Sequence, residues 1–150
     1  MILVVEDNPI IGMQIEMDLE DAGHHPVGPV PRIAPALSLA EERTPRLALV
    51  DVDLAGGDSG VDLAQMLFDR HGLRSVYVTG QDGAVDVTEG AAIGVVAKPF
   101  GPRTIAETVR AALGWIEDGR PPAQIEGVRW FEAARGSDPH GATPDERPGA

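Results

Sequence analysis

Short apolar runs alternate with helical patterns five times within the first 118 residues, and this alternation constrains the fold more than any other feature of the sequence. Strands that are separated by helices pair in parallel, with right-handed crossovers that place helices on both faces of one sheet. We therefore predict an α/β fold, a three-layer sandwich around a five-stranded parallel sheet. The predicted strands are 1–5, 26–30, 46–51, 75–79 and 94–97.

The segments between these strands carry start and stop signals for helices. Asn8 is a good N-cap and Pro9 suits the first helical position, so a helix should begin there and end near Gly23. The segment 80–90 is rich in poor helix formers and should form only a short or irregular helix. The proline-interrupted strand 26–30 belongs at an edge of the sheet. Further helices are predicted at 33–43, 61–70 and 104–115.

The composition of the chain changes after Asp118. Residues 1–118 are predicted to form one domain, whereas 119–150 is a tail rich in proline and glycine that should be mostly disordered. Trp130 and Phe131 are the aromatic anchors of this tail. Two interpretations of them remain open, namely weak docking on the domain and a sticky remainder of a longer ancestor.

The charge balance excludes several classes of function. The chain has 24 acidic and 12 basic residues and a formal net charge of −12, which argues against a nucleic-acid-binding surface but permits cations and basic protein partners. The absence of cysteine excludes disulfides and thiol chemistry. The first residues form no basic leader and reach two acids after five residues, which predicts neither a signal peptide nor a membrane span. We expect a cytoplasmic protein without a membrane partner.

The histidines and methionines indicate no additional site. The histidines lack metal-ligand spacing and are predicted to lie on the surface or in loops; they are His24, His25, His71 and His140. Three methionines are predicted to fill the core, namely Met13, Met17 and Met66.

Polar side chains stand where four of the predicted strands end. These are Glu6 and Asp7 after the first strand, Asp51 at the third, Thr79 at the fourth, and Lys98, the only lysine, after the fifth. The carboxyl ends of parallel strands meet at one edge of a sheet, so these side chains should converge. Three carboxylates brought together repel one another, and their hard oxygen ligands favour Mg²⁺ as the ion that offsets the repulsion. A carboxylate beside this cation, an ammonium group and a hydroxyl can attack a phosphoryl group.

This set of residues resembles the CheY-like receiver domain of bacterial two-component response regulators. The resemblance covers about residues 1–118 and implies the flavodoxin-like (βα)5 fold. It also implies a function, in which an aspartate accepts phosphate from a histidine kinase or a histidine phosphotransfer protein and the binding of an output protein then changes. The motifs that carry it are Glu6-Asp7, Asp51, Thr79 and Lys98-Pro99-Phe100.

The resemblance further implies a role for each residue at the strand ends. Asp51 would be the phosphoacceptor, and the Lys98–Pro99 peptide bond would be cis, as is usual for the family. The groups that bind Mg²⁺ would be Asp7, Asp51 and the backbone carbonyl of Asp53, with Glu6 acting through water. The groups that contact the phosphoryl group would be Thr79 and Lys98.

The sequence also departs from the family pattern. Val95 stands where receivers commonly carry a tyrosine or phenylalanine that swings inward on phosphorylation. Only 19 residues separate Thr79 from Lys98, and the loop after the third strand holds one extra residue before Gly60. Gly80 leaves the phosphoryl site open to water, which predicts a short-lived phosphorylated state. In these departures the chain resembles single-domain regulators and the receivers of alphaproteobacterial stress-response regulators that lack the aromatic switch.

Two other functions share some of these features. A Mg²⁺-dependent phosphatase that acts on small molecules through an aspartyl-phosphate needs a second acid, which Asp53 supplies, and a substrate-binding cap, for which there is no insertion. A receiver-like interaction module that is never phosphorylated would suit the missing aromatic residue.

We expect a protein that gains and loses phosphate at Asp51 and is otherwise not an enzyme. About 32 residues follow Asp118, too few for a DNA-binding domain, and the sequence does not identify the output protein.

Overall fold

The computed structural model describes residues 1–80 and 91–131 of the chain. The helix predicted at 80–90 therefore lies outside the described residues, apart from Gly80. The elements follow one another in the order β1 (Ile2–Val5), α1 (Pro9–Asp21), β2 (Pro26–Val30), α2 (Ile33–Arg43), β3 (Leu47–Asp51), a 3-10 turn (Ala55–Gly57), α3 (Gly60–His71), β4 (Ser75–Thr79), β5 (Ala92–Ala97), α4 (Thr104–Asp118) and β6 (Val128–Trp130).

One sheet joins all of these strands in the order β2-β1-β3-β4-β5-β6. The first five strands pair in parallel, as predicted, but β6 pairs antiparallel with β5. The prediction of a five-stranded sheet is therefore wrong, because the described part of the sheet has six strands. The extra strand is only three residues long and lies in a proline-rich context, so its sequence shows too little alternation to predict a strand.

The helices cover the two faces of the parallel sheet. α1 packs against α4, and α2 packs against α3, as right-handed crossovers require. Every residue of β1, β3 and β4 is buried, which fits parallel strands covered by helices on both sides. None of the helices in the described ranges is both long and apolar enough to cross a membrane.

The predicted bounds of α1 and the predicted edge position of β2 are confirmed. The side chain of Asn8 accepts hydrogen bonds from the backbone N–H groups of Ile10 and Ile11 at 2.9 and 3.2 Å, and α1 begins at Pro9. The helix ends at Asp21, and Gly23 takes the positive φ that turns the chain away. β2 lies at the edge of the sheet, where prolines can be tolerated because one side of the strand is unpaired.

The first part of the predicted tail packs on the domain. Trp130 is 7% exposed and Phe131 is 2% exposed, so of the two interpretations of these residues docking is confirmed. The remaining tail residues, 132–150, lie outside the described ranges, and the prediction that most of the tail is disordered stays a prediction.

Candidate functional site

Three carboxylates meet where β1 and β3 end. These two strands are neighbours in the sheet; Glu6 follows β1 directly, and Asp51 is the last residue of β3. One oxygen from each of Glu6, Asp7 and Asp51 lies within 4.8 Å of the other two. Glu6 and Asp51 are buried, whereas Asp7 is exposed to solvent. The structure therefore brings together the acidic residues singled out from the sequence.

Lys98 extends from the end of β5 into this acidic cluster. Its Nζ atom lies 3.0 Å from Oε1 of Glu6 and 3.3 Å from Oδ2 of Asp51. The lysine side chain is 16% exposed, so the ammonium group stands in a largely desolvated position beside both carboxylates. The Lys98–Pro99 peptide bond is cis, as predicted. Among the described residues of the cluster, one ammonium group thus faces three carboxylates.

The burial of Glu6 changes its protonation. Desolvation raises the pKa of Glu6 from 4.5 to about 7; its hydrogen bond with Asp51 also raises this pKa, whereas Lys98 lowers it. Among its described residues, the cluster nevertheless holds three carboxyl groups beside the single ammonium group of Lys98. The cluster therefore has the charge and the oxygen ligands that favour binding of a divalent cation.

Thr79 and Asp53 lie next to Asp51. Thr79 ends β4, the strand between β3 and β5, and is 1% exposed. Its backbone carbonyl accepts a hydrogen bond of 2.9 Å from the N–H of Lys98. The N–H of Asp53 donates a hydrogen bond of 3.2 Å to Oδ1 of Asp51 and so helps to orient that carboxylate. The role of the Asp53 backbone carbonyl as a metal ligand stays a prediction.

The loop after Asp51 is fixed at two points. The N–H of Gly60 donates a 2.7 Å hydrogen bond to the carbonyl of Val52, and a Cβ atom at Gly60 would overlap the carbonyl oxygen of Asp51. Further along the loop, Oδ2 of Asp58 accepts a 2.9 Å hydrogen bond from the N–H of Ile33, which lowers the pKa of Asp58. The loop is thereby attached to the start of α2.

A surface feature of α1 differs from what the sequence predicts. Ile10, Met13 and Met17 are 77%, 57% and 56% exposed, so the prediction that these two methionines fill the core is wrong. Helical spacing indicates the exposed position of both methionines, because Met13 and Met17 lie on the side of the helix away from Ile15 and Leu19, which form its buried face. The three exposed side chains form an apolar stripe on the helix that begins directly after the acidic cluster.

The sequence of the chain is similar to those of known receiver domains. Residues 2–110 match the model of the response regulator receiver domain. The chain is 30% identical over 121 residues to the phyllosphere-induced regulator PhyR of Methylorubrum extorquens, a match that covers 79% of this chain and 45% of that protein. The chain spans about half the length of the curated relatives that it matches.

Two solved structures show the same architecture. The crystal structure of PhyR from Brucella abortus aligns with a TM-score of 0.69 and 30% identity, covering 79% of this chain and 49% of that one. The solution structure of SdrG from Sphingomonas melonis aligns with a TM-score of 0.61 and 36% identity, covering 75% of this chain and 93% of that one. These alignments support the receiver fold over most of the chain.

Proposed function

Because this chain belongs to the response regulator receiver family, we propose that it is a phosphoacceptor in a two-component phosphorelay and that Asp51 is the residue phosphorylated. The observation that carries this proposal is the position of Lys98, whose ammonium group lies within 3.3 Å of Asp51 and 3.0 Å of the buried Glu6. A cation held beside a carboxylate at the carboxyl end of a strand can bind the oxygens of a phosphoryl group that arrives there.

Asp51 supplies the nucleophile of the proposed reaction. One of its carboxylate oxygens attacks the phosphorus of a phosphohistidine, the P–N bond breaks, and the imidazole leaves with a proton taken from solvent. Lys98 offsets the negative charge on the transferring oxygens, and the Thr79 hydroxyl donates a hydrogen bond to one of them. The product is an aspartyl-phosphate on this chain.

The acidic cluster has the donors that Mg²⁺ requires. Its ligands would be Asp7, Asp51 and the backbone carbonyl of Asp53, with Glu6 acting through water. The arrangement of the three carboxylates supports this assignment, because one oxygen of each lies within 4.8 Å of the other two, so their charges repel one another. A bound Mg²⁺ supplies positive charge that offsets both the carboxylates and the phosphoryl oxygens.

The apolar stripe of α1 supports a protein phosphodonor. Receiver domains of two-component systems act together with histidine kinases and output proteins. Ile10, Met13 and Met17 offer an exposed apolar surface beside the acidic cluster, where a histidine kinase or a histidine phosphotransfer protein can pack while its histidine reaches Asp51. The output partner would be a protein rather than a nucleic acid, because a net charge of −12 opposes contact with nucleic-acid phosphates.

The proposed aspartyl-phosphate should be short-lived. Gly80 follows Thr79, and a Cβ atom at this position would meet nothing within 4 Å among the described residues. Because glycine has no side chain to shield the phosphoryl group, we expect water to reach this group and hydrolyse it. Gain and loss of its own phosphate is the only reaction that we assign to the chain.

Mass spectrometry after incubation with acetyl phosphate and Mg²⁺ tests the assignment. One phosphoryl group should be found on the wild-type protein, and the substitution Asp51→Asn should abolish it. Asp53→Asn is the matched control, because the same chemical change two residues away leaves the proposed nucleophile and the backbone carbonyl in place. Unlabelled wild-type protein, or equal labelling of Asp51→Asn, would contradict the proposal, and sustained turnover of a phosphate ester would instead support a phosphatase.

A further inference from the structure

The strand β6 is attached to β5 by backbone hydrogen bonds at both of its ends. The N–H of Phe131, directly after β6, donates to the carbonyl of Ile93 at 3.0 Å. At the other end, the N–H of Ala97 donates to the carbonyl of Gly127 at 2.9 Å. Ala97 directly precedes Lys98, whose Nζ atom lies 3.3 Å from Oδ2 of Asp51. The residue before β6 is therefore bonded to the chain neighbour of a residue that contacts the proposed phosphorylation site.

On one face of the sheet, Trp130 fills a space that only glycine leaves open. A Cβ atom at Gly94 would lie 2.8 Å from Cε3 of Trp130, closer than real contacts of this kind. The indole also meets Trp115 of α4 edge to face, with ring centroids 6.1 Å apart, and its N–H donates to the carbonyl of Ala123 at 3.1 Å. The edge of β5 is thus shaped to accept an aromatic side chain from an antiparallel strand.

On the other face, Phe131 packs against Tyr77 of β4. Their ring centroids are 6.1 Å apart and the rings are tilted by 55°. Tyr77 is paired in register with Val95, the residue that replaces the usual switch aromatic, and it lies two residues before Thr79 on the same face of the strand. The tail therefore packs an aromatic ring on Tyr77, the strand partner of the position that lacks the usual switch aromatic.

A cleft separates the Lys98 loop from the turn before β6. It has a volume of about 360 Å³, and its walls include Pro99, Phe100 and Glu126. Space on this side allows the loop after β5 to shift without compressing the tail. A shift of Ala97 would act directly on its hydrogen bond with Gly127.

We propose that β6 together with Phe131 is a displaceable strand that phosphorylation of Asp51 releases, exposing the edge of β5 to an extended partner segment that carries an aromatic residue over Gly94. This inference rests on the proposed phosphorylation of Asp51. The phosphoryl oxygens attract the Lys98 ammonium group and the Thr79 hydroxyl. Lys98 directly follows Ala97, which bonds to Gly127. Thr79 lies two residues after Tyr77, which packs on Phe131. Displacing either contact favours the released state.

Hydrogen exchange of the full chain in Mg²⁺, with and without beryllofluoride as the phosphoryl analogue, tests the release. The amides of residues 128–131 should exchange about tenfold faster in the presence of beryllofluoride, within the range usual for coupling between two sites. Fluorine NMR reports whether beryllofluoride is bound. Bound analogue with unchanged or slower exchange of β6 overturns this inference, whereas absence of bound analogue counts against the phosphorylation of Asp51 itself.

The substitution Gly94→Ala tests the role of the indole. The added methyl group should displace Trp130, so β6 should exchange rapidly even without beryllofluoride. Gly114→Ala is the matched control, because its Cβ would meet only the guanidinium of Arg120, at 3.2 Å, and that flexible group can move away. Protection of β6 that is unchanged in Gly94→Ala overturns the assignment. Trp130→Ala removes the ring itself and gives the same test if the first variant fails to fold.

Thermodynamic linkage provides a second measurement. A change that weakens docking of β6 must strengthen binding of beryllofluoride by the coupling factor, so Trp130→Ala should bind the analogue up to about tenfold more tightly than the wild type. The same variant should also bind a peptide with the sequence of residues 124–131 better than a peptide whose tryptophan is replaced by alanine. Equal analogue affinities, or equal binding of the two peptides, overturn the proposal.

Discussion

The carboxyl edge of the sheet is made of charged side chains, whereas its β5 edge is made of packed aromatic rings. At the carboxyl edge, Glu6, Asp51 and Lys98 form a cluster of charges whose oxygens are partly desolvated. At the β5 edge, Trp130 and Phe131 form a dry contact of rings on both faces of the sheet. The first region contains repulsion that a ligand can relieve, and the second contains packing that stabilises the fold. The charged cluster and the aromatic packing are separate in this chain but meet at Ala97 and Lys98, two consecutive residues.

Loss of the tail aromatic at the β5 edge should have the largest effect on stability. Trp130→Ala should lower the free energy of unfolding by about 3 kcal/mol, at the low end for loss of a buried aromatic ring because the site lies at a sheet edge. Urea denaturation with Mg²⁺ absent measures this loss. Trp130→Phe is the control, since it keeps an aromatic ring at this position and loses the indole hydrogen bond and part of the ring area. Equal losses for both variants would show that the ring does not stabilise this edge.

At the carboxyl edge, the free energy of unfolding should depend on bound metal rather than on side-chain packing. At a Mg²⁺ concentration one hundred times the dissociation constant, the wild-type free energy of unfolding should rise by about 2.7 kcal/mol, and Asp7→Asn should abolish most of this gain at the same concentration. Denaturation with Mg²⁺ and with a chelator measures it. Asp53→Asn should keep the gain, because only its backbone carbonyl is a proposed ligand. A full gain in Asp7→Asn would remove Asp7 from the metal site.

An ion pair away from both regions should have the smallest effect. Arg46 donates two hydrogen bonds to Glu117, but both side chains are more than 40% exposed, so Glu117→Gln should cost about 0.5 kcal/mol or less. The Arg46 bond lowers the pKa of Glu117, so this contribution is present above pH 4.5 and is lost as the pH falls through the lowered value.

Thermal unfolding between pH 3 and pH 7, in low salt and in about 1 M salt, measures the contribution of this pair because salt screens exposed charges. Glu41→Gln, an exposed glutamate on α2, is the control. A loss from Glu117→Gln that persists at acidic pH or in high salt would show that the side chain acts by packing and not by charge.

The two regions also differ in how far the sequence predicts them. Glu6, Asp51 and Lys98 follow apolar runs, and parallel strands bring their ends to one edge whatever the helices do, so local patterns suffice to predict the cluster. Trp130 contacts Gly94 across 36 positions of sequence, and nothing in either neighbourhood indicates the other. The sixth strand is therefore not predictable from local sequence patterns, because its three residues show too little alternation and its contact at Gly94 is distant in sequence.

The exposed side chains of α1 show a different limit of prediction. Methionine is apolar and flexible, so composition alone predicts that Met13 and Met17 are buried. Only the angular offset from Ile15 and Leu19 places them on the outer face of the helix. Helical spacing predicts such positions better than residue type does.

Lys98 and Tyr77 are each the only residue of their type in the chain. A protein grown with isotope-labelled lysine and tyrosine therefore carries one labelled residue beside Asp51 and one beside Phe131, without any substitution. Two resonances, assigned by their residue type alone, can then be followed during titration with a phosphodonor. If the lysine resonance changes at a lower phosphodonor concentration than the tyrosine resonance, phosphorylation at Asp51 precedes the structural change at the tail.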